Sequence, residues 1–227
     1  MRTPLVIATA VICTVPALAH ASAKLTIVNV DAAGQGLNDP TPVAPVGGNA
    51  GTTLGAQRMA AIQYAADRWG QLIDSSVEIR FNVRFAPLDC SASTALYAQV
   101  DTVDLVRDFA HAPTPGTWFP AALANKLAGT DLNPAAVDFS IVFNSSINGN
   151  PACFGGASFY YGLDSEDPDN TADFPPVVMH EIAHGLGFAS FVTRETGERP
   201  LGLPDQYQGF VLDNDTNRLW RDMTNAE

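Results

Sequence analysis

"VVMHEIAHGLGFAS", residues 177–190, decides how this chain is read. It brings His180, Glu181 and His184 into one short segment. Pro175 and Pro176 precede it and suit a first helical turn, where a missing N–H costs nothing. Gly185 and Gly187 suit the end of that helix. On a helix His180 and His184 are i and i+4, so they lie one above the other, about 6 Å apart at Cβ. Two imidazoles so placed can both reach one Zn2+ at about 2.0–2.1 Å. Glu181 is turned about 100° from His180. It stands beside such a metal, where it can take a proton from a zinc-bound water and pass it to a leaving amine. With 4 histidines in 227 residues, chance would produce this spacing in roughly two such chains per thousand. The other histidines are His20 and His111. The plain alternative is a helix carrying two ordinary histidines.

The segment resembles the active-site helix of zincin metallopeptidases. Its His-x-x-Gly continuation, "HEIAHGLG", is similar to the metzincin clan more than to the thermolysin-like one. In outline the resemblance covers residues 24–190. It implies an α+β fold, with a mixed twisted sheet, two long helices and an irregular C-terminal lobe. It implies Zn2+ held by His180 and His184, Glu181 as the catalytic base, and a protein or peptide substrate. It also implies that the strand at 137–144 is the sheet edge against which an extended substrate lies.

The chain departs from that pattern at position 190. A metzincin places its third histidine there, and this chain has Ser190, with no histidine downstream. The candidates for a third ligand are then carboxylates. Asp205 in "GLPDQYQG" comes first, because its Gly-x-x-Asp turn resembles the aspartate-ligand zincins. Asp213 in "VLDND" is second, and Glu195 and Glu198 in "TRETGERP" are third. A ligand beyond residue 227 stays open. Met223 could form a Met-turn, or could simply pack beside Trp220.

Residues 1–23 read as a signal peptide. Arg2 gives a short basic region, "PLVIATAVICTVPALA" is apolar, and "AHA" or "ASA" offers cleavage near Ala21 or Ala23. No later stretch approaches the ~18 apolar residues of a spanning helix, which predicts no stable membrane insertion. The formal charge is −12, and removing the leader takes away Arg2 and no acid. So acidic a surface argues against nucleic acid and anionic membranes. Cys90 and Cys153 are left as an even pair, which in an oxidising compartment reads as a disulfide. Two free thiols, or an inhibitory Cys90 thiolate on zinc, are the alternatives.

Along the mature chain, "KLTIVNV" (24–30) reads as a strand and "DAAGQGLNDPTPVAPVGGNAG" (31–51) as a long loop, often a functional feature. Met59, Ile62, Ala66, Trp69 and Ile73 form one helical stripe, with Gln57 and Arg58 off it and Thr52 or Thr53 as N-cap. "VEIRFNVRFA" (77–86) alternates as a strand. A short helix over 119–129 ends at Gly129. Strands follow at 137–144 and 158–162. "DSEDPDNTAD" (164–173) lacks the glycine and final glutamate of an EF-hand loop and reads as solvated. Thr224-x-x-Glu227 has the form of a capping box. That is either chance or the opening of a helix in a longer chain.

These residues predict a secreted or periplasmic zinc endopeptidase occupying 24–227. The competing class is a non-catalytic exported module with a structural or vestigial zinc site. Oligomeric state and cleavage preference do not follow from the sequence.

Overall fold

The computed structural model describes residues 22–225. Residues 1–21, most of the expected signal peptide, lie outside the described residues, as do residues 226–227, which would complete the Thr224–Glu227 box. Ser22 and Ala23 are described. Ala23 is buried, and its N–H donates to Gly70 O at 2.9 Å.

The element order is β1 (Leu25–Asn29), α1 (Leu54–Leu72), β2 (Ile79–Ala86), β3 (Ala98–Val103), β4 (Leu105–Val106), β5 (Phe119–Pro120), α2 (Ala121–Ala128), β6 (Phe139–Asn144), β7 (Ser158–Tyr160), β8 (Thr171–Asp173), α3 (Phe174–Leu186), β9 (Leu212–Asp213) and β10 (Arg218–Leu219), with short 3-10 turns between. The fold is α+β. Its main sheet runs β1-β2-β6-β3, with β1, β2 and β6 parallel and β3 antiparallel to β6. The strand expected at 137–144 is therefore interior, and the sheet edge on that side is β3. The sequence reading did not place a strand at β3.

Register explains the core. Ile79, Phe81, Val83 and Phe85 alternate inward on β2, and Phe81, Val83 and Phe85 pair with Phe139, Ile141 and Phe143 of β6. The Phe81 and Phe139 rings stack at 5.0 Å. Phe174, the first residue of α3, sits at 4.8 Å from Phe143 and 5.0 Å from both Phe159 and Tyr161. Burying one such ring contributes about 1.5–3 kcal/mol, so this contact pins the start of α3. Near its other end, a Cβ on Gly185 would lie 2.4 Å from the Phe139 ring. Gly185 is thus inside the helix and permits close packing. Gly187 alone is the left-handed C-cap, with φ 115°.

Helix α1 starts at an N-cap Thr53, whose hydroxyl accepts from Ala56 N–H at 3.2 Å. Its inward face is wider than the predicted stripe. Ala61 and Ala65 are fully buried, and Gln57 and Arg58 are buried too. Those two polar side chains fasten the 31–51 loop onto the helix. Gln57 Nε2 donates to Ala44 O at 2.7 Å, and Arg58 Nη1 donates to Gly36 O at 2.9 Å. The loop's order is therefore structural. Helix α2 ends at Gly129 in the left-handed conformation, as its sequence predicts.

Cys90 and Cys153 form a disulfide with a Cα–Cα distance of 5.2 Å. This removes Cys90 as an inhibitory thiolate. The bridge joins the chain before β3 to the chain after β6, reinforced by Phe154 N–H donating to Ser91 O at 2.7 Å. Among the described residues, no helix is long and apolar enough to cross a membrane.

Candidate metal centre and cleft

Helix α3 sets its two histidines as their spacing requires. His180 Nε2 and His184 Nε2 lie 2.9 Å apart. Two nitrogens each about 2.0–2.1 Å from one shared ion are separated by roughly 2.9–3.4 Å for bond angles near 90–110°, so the pair fits a single cation. The second nitrogen of His184 fixes its role. His184 Nδ1 is 2.8 Å from Phe188 O. A carbonyl can only accept, so Nδ1 carries the proton and Nε2 keeps its lone pair for a metal. The Gly187 turn makes this possible, because it folds the chain back until Phe188 N–H reaches Ala183 O at 3.0 Å.

Glu181 is buried at 6% exposure, whereas His180 is exposed and His184 partly so. Burial pushes the Glu181 carboxyl above the usual glutamate range. The neighbouring His180 and His184 side chains and the Val100 N–H, which donates to the carboxylate, oppose that push. Val100 belongs to the edge strand β3. One backbone N–H of the sheet edge thus holds the candidate base beside the candidate ligands.

The three residues face a cleft of about 690 Å3 between α3 and β3. Its walls are apolar, with Leu96, Tyr97, Val100, Val103, Val177 and Phe191 prominent. Tyr97 is wedged edge-on against Phe154 at 5.5 Å and Phe159 at 6.0 Å, so the disulfide segment supports the cleft wall.

The structure brings together His180, Glu181 and His184 and places the third-ligand candidates elsewhere in their bonding. Asp205 is 1% exposed and spends its carboxylate on protein donors. Ser190 Oγ and Phe191 N–H donate to its Oδ2 at 2.9 and 2.7 Å, and Gln208 N–H donates to its Oδ1 at 2.9 Å. Asp213 Oδ2 accepts from Thr216 N–H at 2.8 Å within the β9–β10 turn. Glu195 and Glu198 are exposed in the loop after α3. Met223 offers its carbonyl to Arg199 Nη2 at 2.8 Å. Among the described residues, no cluster of three or more His, Cys, Asp or Glu is arranged to hold a metal ion. The donor chemistry of the histidine pair is of the kind that fits zinc, and the pair could supply two ligands.

The sequence reading missed Val100 and Phe188 as parts of the site, since both act through backbone atoms. In "LYAQV" the alternation of Leu96, Ala98 and Val100 was the available sign of β3. Compared with known proteins, the chain matches no family model, no curated protein and no solved structure.

Proposed function

We propose that this protein is an exported zinc-dependent endopeptidase of metzincin-like design. The observation that carries the proposal is the convergence of His180 and His184 Nε2 at 2.9 Å, with the His184 tautomer fixed and a buried Glu181 alongside. His180 and His184 would hold the ion. When bound, zinc would supply Lewis acidity and a water acidified to near neutrality. Glu181 is placed to accept a proton at its carboxylate and return it to the leaving amine. The edge strand β3 offers a backbone rim along which an extended peptide can lie, and the apolar walls suit apolar substrate side chains. The partner is therefore a protein or peptide substrate.

Export rests on the leader-like residues 1–23 and on the disulfide, which suits a secreted or periplasmic setting. Of the two cleavage points, the one after Ala21 leaves Ala23 in place against Gly70.

The test is casein or gelatin hydrolysis with and without a chelator. Activity that is lost on chelation and restored by zinc supports the proposal. Zinc binding without hydrolysis favours the non-catalytic module.

A further inference from the structure

We infer that Asp205 is a positioning residue for His184, acting through the segment Phe188–Phe191 and binding no metal itself. The path is short. His184 Nδ1–H donates to Phe188 O at 2.8 Å. Two residues beyond that carbonyl, the Ser190 hydroxyl donates to Asp205 Oδ2 at 2.9 Å, and Phe191 N–H donates to the same oxygen at 2.7 Å. Gln208 closes the ring, its N–H donating to Asp205 Oδ1 at 2.9 Å and its Nε2 to Ser190 Oγ at 3.1 Å.

Asp205 is itself clamped. Trp118 N–H donates to Pro204 O at 2.9 Å, and Gln206 N–H donates to Trp118 O at 2.8 Å. Trp118 directly precedes β5 and α2. Asp205 therefore ties the exit of α3 to the segment that follows the edge strand. A buried carboxylate with both oxygens occupied holds its donors firmly, because releasing any one leaves charge or polar groups unsatisfied.

The Phe188 side chain is 59% exposed and meets the Trp69 ring in a tilted contact at 6.2 Å, so its packing holds the residue from one side. Without the Asp205 tether, the segment keeps the capping bonds of the Gly187 turn and the single Gln208 Nε2–Ser190 Oγ bond. Phe188 O then drifts from Nδ1, and His184 populates the tautomer with its proton on Nε2, which cannot bind a cation. Ser190, at the position where a third histidine was expected, thus serves the second histidine by anchoring the chain behind it.

The test uses D205N and S190A in the full protein, with two readouts. The first is the 15N shifts of the His184 ring in metal-free protein at pH 8, which report the tautomer whether or not the protein is a peptidase. The second, which rests on the zinc reading above, is the zinc dissociation constant. The wild type is expected to show one tautomer, protonated at Nδ1. Both variants should show a mixture, and D205N should bind zinc tenfold or more weakly, the usual scale for losing a partner that orients a ligand. If D205N does not fold, S190A decides, since it keeps the Asp205 bonds to Phe191 and Gln208. Ring shifts unchanged in the folded variants overturn the inference, even if thermal stability falls. A wild type that binds no zinc overturns the peptidase proposal, while the ring shifts still decide this one.

Discussion

Trp69 Nε1 donates to Met179 O at 3.0 Å, so the indole of α1 grips α3 one residue before His180. The long helix thereby does more than cover the sheet. It fixes the rotation of the helix that carries the candidate ligands. Trp69→Phe removes this bond and some ring packing while keeping an aromatic stem. The expected cost is about 1–2 kcal/mol, or a fall in Tm of roughly 2–8 °C for a domain of this size. Thermal unfolding measures it. A Tm equal to that of the wild type would mean the indole does not hold the helix.

Gly185→Ala should destabilise the protein, although alanine is the better helix former by about 1 kcal/mol. The added Cβ meets the Phe139 ring at 2.4 Å, and that ring is stacked on Phe81 in the core. Overpacking of this kind costs about 1–3 kcal/mol. Chemical denaturation of the variant gives the sign directly. A gain in stability would show that the ring can move aside.

These two residues mark how much of the molecule was legible in the sequence. Local signals were readable: the i, i+4 histidines, the Thr53 cap, the Gly129 and Gly187 ends, and the alternation of β2. Features set by distant pairing were not. Gly185 looks like a helix end until Phe139 is seen packed against it. Gln57 and Arg58 look solvent-facing until the 31–51 loop folds over them. In β3 the register shifts between Val100 and Thr102, so Ala98, Val100 and Val103 pair with Phe143, Ile141 and Phe139 although their spacing in sequence does not alternate. Only its pairing with β6 makes it the edge. Asp205 reads in the sequence as the first candidate for a third zinc ligand, whereas in the structure its carboxylate accepts from Ser190, Phe191 and Gln208.

Reduction of the Cys90–Cys153 bridge should lower stability substantially. The cysteines are 63 residues apart, and on the chain-entropy picture a loop of that length contributes roughly 4 kcal/mol. Thermal melts with and without reductant, and of the C90S/C153S double variant, should agree. The bridge supports Tyr97 through Phe154, so peptide KM should rise as well. A melt insensitive to reductant would contradict this.

Asp138 gives a pH dependence with a definite sign. It is 6% exposed, and burial holds its carboxyl above the usual aspartate range, with the Arg80 N–H and Asn125 amide opposing that shift. A folded value above the unfolded one means the native state keeps a proton the unfolded chain has lost. Its contribution is therefore fully present below about pH 3.8 and falls as pH rises through the folded value. Wild-type stability measured relative to D138N should decline as pH rises above about 3.8 and through the raised folded value. A relative stability that grows over that range would reverse the assignment.

Glu181 carries the central claim, because it lies beside the histidine pair and is not one of the two convergent nitrogens. The most direct measurement is peptide hydrolysis by E181Q together with its zinc content. The account predicts one zinc ion retained per chain and kcat/KM reduced roughly 10²–10⁴-fold. E181Q that holds zinc and hydrolyses peptide at the wild-type rate would contradict it.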